Sequence, residues 1–259
     1  MTRPHAEMGW MSALTDYFDG PHGRRIAYRH IPGDGPALVF LPGYMSDMAG
    51  GKATALIDWA RETARECLLL DYSGCGESDG AFADGTLSRW RDEVVALVED
   101  RIAGDAILIG SSMGGWLMLL VAEALGDRIA GLVGIAAAPD FTEWGLDADQ
   151  KAQLERGETV FEDNPYGPDP TPTHPGFYRD AQALRRLDGP IALDSPVRLI
   201  HGQRDADVPW EISLRLAENL RSDDIQVTLV KQGDHRLSRP QDIALLLRVV
   251  GDLAAPPSS

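Results

Sequence analysis

The stretch Gly110-Ser-Ser-Met-Gly114 decides the fold of this 259-residue chain. It follows an apolar run at 106–109 that is typical of a buried strand, and it leads into a helical pattern that ends at Leu125. The pattern G-x-S-x-G at such a junction indicates a sharp turn that raises its central serine above the sheet edge. Glycine is required on both sides because a Cβ there would meet neighbouring backbone. Ser112 has a glycine two residues before and two after it, whereas Ser111 does not, so Ser112 is the predicted nucleophile.

Strands and helices alternate on both sides of this turn. Short apolar runs predict strands at 37–41, 67–71, 106–109, 129–138, 197–200 and 226–230. Helical spacing predicts helices at 51–65, 86–101, 114–125, 210–220 and 240–253. A hairpin within 16–31, closed by Gly20-Pro-His-Gly23, is the only part that must run antiparallel. The alternation predicts an α/β fold with a mostly parallel sheet covered by helices on both faces.

The interval 139–196 breaks the alternation. It is rich in proline, aspartate and glycine, and it is too long for a plain connection, so we predict an inserted lid. Its aromatic side chains are Trp144, Phe161, Tyr166, Phe177 and Tyr178. The length fits one domain spanning residues 1–259, with a frayed tail at 256–259.

A serine nucleophile needs a histidine base, and the imidazole needs an anion that fixes its tautomer. The strand at 197–200 runs into a loop that carries Asp205, and the last strand runs into a loop that carries His235. Open α/β sheets build their sites at such strand ends, and the order Ser, Asp, His suits a serine on this kind of turn. The sequence therefore predicts Asp205 as the acid and His235 as the base.

Other titratable residues compete for these roles. Asp207 is an alternative acid, whereas Asp71 and Asp234 are expected to accept hydrogen bonds within loops. His201 is expected to pack or hydrogen-bond locally, because it lies too near the acid to leave a separate base loop. The remaining histidines are expected to be structural or solvated, and they are His5, His22, His30 and His174.

A tetrahedral intermediate needs backbone N–H donors for its oxyanion. One donor should be Met113, the residue after the nucleophile. The second should come from the loop after Leu41, where we predict the Tyr44 N–H, with Gly43 as the weaker alternative.

Composition excludes several classes of partner. The chain has 40 acidic and 24 basic residues, a net charge of −16, which repels nucleic-acid phosphates and anionic lipid surfaces. No run approaches the roughly 18 apolar residues of a membrane span, and residues 1–10 lack the apolar core of a secretory signal. Cys67 and Cys75 are too few for a disulfide framework or a four-ligand metal site. We therefore expect no metal, no organic cofactor, no nucleic acid, no membrane span and a cytoplasmic location.

Five segments resemble the α/β-hydrolase superfamily, namely Phe40-Leu-Pro-Gly43, residues 71–80, Gly110 to Met118, His201 to Trp210, and Asp234-His-Arg236. More narrowly, they are similar to its branch of mitochondrial palmitoyl-protein thioesterases and acyl-glucuronide esterases, with bacterial relatives. The similarity runs from about Ile26 to Leu253. The resemblance implies Asp205 as the acid of H-G-x-x-D-x-x-V-P and His235 as the base. Without an evident presequence, the organelle is not carried over.

Together these features predict a serine hydrolase that cleaves acyl esters or thioesters through an acyl-serine, acting on a small molecule or an acylated protein. The alternatives are a plain carboxylesterase, a peptidase, or a binding module whose triad is inactive. A haloalkane dehalogenase would need a carboxylate in place of Ser112. The sequence does not fix the oligomeric state.

Overall fold

The computed structural model describes residues 14–164 and 167–255. The predictions made for residues 1–10, including His5, for Tyr166 and for the tail at 256–259 lie outside the described residues. Within the described part of the chain, none of the helices is long and apolar enough to cross a bilayer.

The architecture is an eight-stranded sheet covered by helices. The strands of this sheet are β1 (Asp16–Asp19), β2 (Arg25–Ile31), β3 (Asp34–Leu41), β4 (Arg65–Leu70), β5 (Ala106–Ser111), β6 (Ile129–Ile135), β9 (Val197–Gly202) and β10 (Ile225–Val230). The helices that alternate with them are α1 (Gly51–Glu62), α2 (Leu87–Arg101), α3 (Met113–Leu125), α7 (Glu211–Asn219) and α8 (Pro240–Leu253). The remaining strands and α-helices of the described residues lie in the interval 139–196.

The strand order is β1-β2-β4-β3-β5-β6-β9-β10. The strand β2 pairs antiparallel with β1 and with β4, whereas the five pairs from β4 to β10 are parallel. The opening hairpin is thus the source of all antiparallel pairing in this sheet, which confirms the predicted fold class.

The central strands are apolar on both faces because helices cover both. In β5, Leu108 belongs to the core cluster that holds the apolar residues of α2 and α3. Its neighbours Ile107 and Ile109 belong to the cluster on the other face, together with residues of α1 and α8. The side-chain alternation of a strand therefore divides one continuous apolar run between two cores.

The interval 139–196 forms a compact insertion between two neighbouring strands, β6 and β9. Its elements are α4 (Phe141–Trp144), α5 (Ala148–Glu155), the antiparallel pair β7 (Val160–Glu162) and β8 (Thr171–Thr173), and α6 (Pro175–Ala183). The buried carboxylate of Asp140 accepts hydrogen bonds from the N–H groups of Arg186 and Leu187, which joins the start of the insertion to the segment after α6. Its assignment as the lid of a single domain remains a prediction.

Candidate active site

Ser112 lies in the sharp turn between β5 and α3. Its backbone has φ 55° and ψ −121°, a conformation that non-glycine residues rarely adopt. Its N–H donates to the Ile135 carbonyl at 2.9 Å, which holds the turn against β6. A Cβ on Gly110 would lie 2.3 Å from the Gly114 oxygen, and one on Gly114 would lie 2.1 Å from the Leu41 oxygen. The two flanking glycines are therefore required by close backbone contacts.

The structure brings the three predicted side chains together. His235 Nε2 lies 3.1 Å from Ser112 Oγ, and its Nδ1 lies 2.9 Å from Asp205 Oδ2. The bond to the carboxylate requires a hydrogen on Nδ1, which leaves the lone pair of Nε2 to accept from the serine hydroxyl. The side chain of Asp205 is fully buried and that of His235 is 16% exposed. This is the arrangement in which an imidazole can remove a hydroxyl proton.

Three N–H groups donate hydrogen bonds to the Asp205 carboxylate, and a fourth lies 3.2 Å from it. Its Oδ1 accepts from the backbone N–H groups of Asp207 and Val208, at 2.9 and 2.8 Å. Its Oδ2 faces His235 and also His201, whose Nε2 lies 3.2 Å away. Burial raises the pKa of Asp205, but the hydrogen bonds from His201 and His235 outweigh it and hold the pKa well below its ordinary value. The carboxylate is therefore charged wherever the imidazole can act as a base.

The alternative candidates occupy other positions. Asp207 is exposed and donates its N–H to Asp205. The carboxylates of Asp207 and Asp205 and the imidazole of His235 form a group in which the atoms that could bind a metal all lie within 4.8 Å of one another. Because both oxygens of Asp205 and Nδ1 of His235 already make hydrogen bonds, this geometry gives a hydrogen-bonded pair rather than a set of ligands aimed at an ion. His201 is fully buried and locally hydrogen-bonded, as the sequence suggested, but its contact with the acid had no sequence signal.

The other described histidines make separate contacts. His22 pairs with Asp92 at 3.6 Å, His30 pairs with Glu66 at 2.9 Å, and His174 Nδ1 lies 3.1 Å from Thr159 Oγ1.

The loop after β3 lies against the nucleophile. A Cβ on Gly43 would be 3.3 Å from the Ser112 Cβ, so the backbone that leads to Tyr44 passes directly beside the serine. Met113 is the first residue of α3, and an N–H in the first turn of a helix has no acceptor within that helix. The two predicted oxyanion donors thus belong to segments on either side of Ser112.

The side chain of Tyr44 fixes that loop to the insertion. Its hydroxyl donates to the Pro172 carbonyl at 3.0 Å. Its ring centroid lies 4.9 Å from the rings of Phe82 and Phe177. Burial, followed by the charges of neighbouring acidic groups, raises the pKa of Tyr44 well above its ordinary value, so the hydroxyl remains a donor. No sequence pattern indicated this role for the side chain.

Asp71 holds the far end of the same loop. Its buried carboxylate accepts from the Met48 N–H at 2.7 Å and from the Glu77 N–H at 2.8 Å. Burial raises its pKa, and the two backbone hydrogen bonds oppose that effect. Asp71 is thus a loop-stabilising acceptor, as its position at the end of a strand indicated.

Ser112 opens into a cavity of about 690 Å³. Its apolar lining residues include Phe40, Met113, Ala138, Phe141, Trp144 and Leu146. Its polar lining residues include Ser46, Asp47, Lys52, Glu162, Asp163 and Arg236. A lining of both kinds suits a substrate that joins an apolar acyl group to a polar leaving group.

Lys52 is a pocket residue that the sequence did not reveal. Its Nζ donates to the Arg236 carbonyl at 2.5 Å. Burial, together with the positive charge of Arg236, lowers the pKa of Lys52 to about 8. A single lysine in the first turn of α1 carries no motif, so only the folded arrangement identifies it.

Comparison with solved structures gives close matches over nearly the whole chain. A putative hydrolase from Agrobacterium vitis S4 superposes with a TM-score of 0.88 at 37% identity, covering 95% of this chain and 100% of that one. The mouse alpha/beta hydrolase domain-containing protein 10 superposes with a TM-score of 0.87 at 35% identity, covering 93% of this chain and 98% of that one.

Curated relatives have similar identities. Mouse mitochondrial palmitoyl-protein thioesterase ABHD10 is 38% identical over 234 residues, which are 88% of this chain and 78% of that protein. Human mitochondrial palmitoyl-protein thioesterase ABHD10 is 35% identical over 246 residues, which are 92% of this chain and 79% of that protein.

These relatives contradict the predicted cytoplasmic location, because they are named as mitochondrial proteins. The prediction was wrong for a physical reason. Free thiols such as those of Cys67 and Cys75 indicate a reducing environment, but they do not distinguish one reducing compartment from another.

A family model adds the final comparison. The model of the alpha/beta hydrolase family matches residues 38–246, a range that contains Ser112, Asp205 and His235. With the strand order of the sheet and the relatives above, this match confirms the resemblance seen in the sequence. The chain belongs to the alpha/beta hydrolase family.

Proposed function

We propose that this protein hydrolyses acyl esters or thioesters through a covalent acyl-Ser112 intermediate. The observation that carries the proposal is the unbroken chain of hydrogen bonds from Ser112, which lines the cavity, through His235 to Asp205. The family and the relatives named as thioesterases support a hydrolase of esters or thioesters.

In the first half of the reaction, Ser112 Oγ attacks the acyl carbon while its proton passes to His235 Nε2. The carbonyl electrons move to the oxygen, and the N–H groups of Met113 and Tyr44 stabilise the resulting oxyanion. When the intermediate collapses, the bond to the leaving oxygen or sulfur breaks, and that atom takes the proton from His235. Asp205 keeps the imidazole in the required tautomer and stabilises its cation.

In the second half, water attacks the acyl-serine. His235 removes a proton from this water, and the same donors stabilise the second oxyanion. Collapse releases the carboxylic acid and returns the proton to Ser112 Oγ. The cycle needs no reactant other than the acyl substrate and water.

The proposed substrate class is an acyl chain joined to a polar leaving group, either a small molecule or an acylated protein. The apolar wall formed by Phe141, Trp144 and Leu146 would receive the acyl chain. These three residues belong to the insertion, so we propose that 139–196 is the lid of a single-domain enzyme and sets the acyl preference.

The nucleophile is tested with a fluorophosphonate probe and with p-nitrophenyl esters of short and long acyl chains. Ser112→Ala should abolish labelling and lower hydrolysis by about six orders of magnitude, as expected when a triad nucleophile is removed. Ser111→Ala is the matched control, because it changes the neighbouring serine and should leave labelling intact. Labelling that persists in Ser112→Ala would contradict the proposed nucleophile.

The alternatives are separated with one acyl group presented as an ester, a thioester and an amide. Preference for the ester alone would indicate a plain carboxylesterase, and cleavage of the amide would indicate a peptidase. No hydrolysis across the whole panel would favour the inactive binding module.

A further inference from the structure

Asp205 Oδ2 has a second imidazole partner. His201 lies at the end of β9 and is fully buried, and its Nε2 is 3.2 Å from Asp205 Oδ2 and 3.0 Å from the Val208 carbonyl. Its Nδ1 is 2.7 Å from the hydroxyl of Ser213, which is also buried and belongs to α7. The His201 side chain therefore joins β9, α7, and the loop between them that carries Asp205, here called the acid loop.

The neighbours of His201 determine its tautomer. A carbonyl and a carboxylate can only accept, so Nε2 must carry the hydrogen; it donates to the Val208 carbonyl, and Asp205 Oδ2 lies 3.2 Å from the same nitrogen. The neutral ring then accepts at Nδ1 from the Ser213 hydroxyl. The Ser213 hydroxyl thus donates to His201, and the Nε2–H of His201 lies against Asp205 Oδ2. The same oxygen accepts from His235 Nδ1.

The acid loop needs such an internal support. Gln203, Arg204, Ala206 and Asp207 around the acid are all exposed, whereas the side chain of Asp205 is fully buried. The backbone donors from Asp207 and Val208 hold only Oδ1. Without His201, Oδ2 would be fixed by His235 alone, the group that must change its charge during the reaction.

We propose that His201 is a positioning residue that holds Asp205 Oδ2 in line with His235 Nδ1 and shares the negative charge of that oxygen. The proposal rests on the proposed function, since it assigns a role relative to Asp205 as the acid. The titratable groups within 4.8 Å of the Asp205 carboxylate include Asp207 from the same loop and His235 from the loop after β10.

Two consequences follow. Loss of the His201 donor would let the carboxylate rotate, and misplacing a catalytic group by up to 1 Å costs as much as about 100-fold in rate. Without the His201 donor, the negative charge of Asp205 would also be less neutralised. It would then stabilise the imidazolium form of His235 more strongly, so that this cation would persist to higher pH.

The test compares two replacements of one ring. In His201→Gln the amide can reach the position of Nε2 and donate to Asp205, whereas the shorter side chain of His201→Asn reaches Ser213 but not the carboxylate. With p-nitrophenyl butyrate, we expect His201→Asn to lower kcat about 10- to 100-fold with KM within about twofold. The acidic limb of its kcat/KM profile should move to higher pH, and His201→Gln should recover most of both changes.

Several outcomes would overturn the inference. Wild-type kcat and an unmoved pH profile in His201→Asn would exclude a positioning role. Equal losses in both variants with unmoved profiles would show that the ring only fills space. If neither variant folds, ¹⁵N-histidine spectra of the wild-type protein decide the question, since a His201 ring protonated at Nδ1 and bare at Nε2 would contradict the inference.

Asp205→Asn separates this inference from the proposed function. If Asp205→Asn keeps full activity, the proposed acid itself is wrong. If Asp205→Asn is inactive while His201→Asn behaves as wild type, only the role of His201 is wrong.

Discussion

Replacing Gly114 with alanine should separate the nucleophile from the loop that supplies an oxyanion donor. The new Cβ would lie 2.1 Å from the Leu41 oxygen and 2.5 Å from the Pro42 oxygen, whereas Cβ atoms do not approach other heavy atoms closer than 3.0 Å. Both obstacles are backbone, so helix and loop must move apart by about 0.9 Å, given that limit. Those oxygens directly precede the loop that presents the Tyr44 N–H.

A shift of about 1 Å costs about 100-fold in rate, which is also the lower end of what loss of one oxyanion donor costs. We therefore expect Gly114→Ala to lower kcat for p-nitrophenyl butyrate by about 100-fold with little change in KM, since ester binding in the cavity does not use these donors. Overpacking should also lower the free energy of unfolding by about 1–3 kcal/mol, measured by urea denaturation.

Two other glycines make this a graded series. A Cβ on Gly43 would lie 3.3 Å from the Ser112 Cβ, so a few tenths of an ångström of movement suffice and the loss should be smaller. A Cβ on Gly176 in α6 meets nothing within 4 Å, so Gly176→Ala should keep full activity and stabilise the helix by up to about 1 kcal/mol. Wild-type kcat in a folded Gly114→Ala variant would refute the reasoning, because it would mean that the helix and the loop are not in contact as described.

Three further predictions follow from hydrogen bonds and pKa shifts. Asp205→Asn should lower kcat by about four orders of magnitude. In the wild type, the hydrogen bonds to Asp205 hold its pKa below the value in the unfolded chain. The stability that they add is therefore present above about pH 4 and is lost as the pH falls below it. Urea denaturation should show the stabilities of the wild type and of Asp205→Asn converging at that low pH. Tyr44→Phe removes the donor to the Pro172 carbonyl, and should cost about 0.5–1.5 kcal/mol and speed hydrogen exchange in the insertion. Burial raises the pKa of Cys67 and of Cys75 to about 12, so neither thiol should react with Ellman's reagent at pH 8 until urea unfolds the chain, and rapid labelling of the native protein would contradict their burial.

The sequence predicted the sheet well because its signals are local. Short apolar runs indicate buried strands such as β5, and two glycines at a fixed spacing indicate the turn at Ser112. Asp205 and His235 could be chosen as the candidate acid and base for the same reason, because each follows a predicted strand. Strand order, by contrast, depends on which helix packs on which face, and the sequence predicted only that most pairs would be parallel.

The parts that escaped prediction depend on contacts between distant segments. The insertion contains two three-residue strands, β7 and β8, and Pro172 lies within the second, so neither has a readable alternation. Lys52 became a pocket residue only because α1 begins beside the loop that follows His235. His201 bonds locally as expected, but its contact with Asp205 depends on how the acid loop folds back against β9, which no sequence pattern indicates.

The position of the insertion explains how one sheet can keep its chemistry while its pocket changes. The insertion leaves at the end of β6, where the Ala138 N–H donates to the Ser112 carbonyl at 3.0 Å, and it returns to β9, which pairs with β6 and carries the acid at its own end. The chain therefore leaves the sheet beside the nucleophile, re-enters it at Val197, and reaches the acid only after running the length of β9. Because β6 and β9 are held to each other by the sheet, the side chains of the insertion can differ in size and polarity without moving Ser112 relative to Asp205. With the insertion as the proposed lid, specificity and catalysis would belong to separate parts of the chain that meet at the cavity wall.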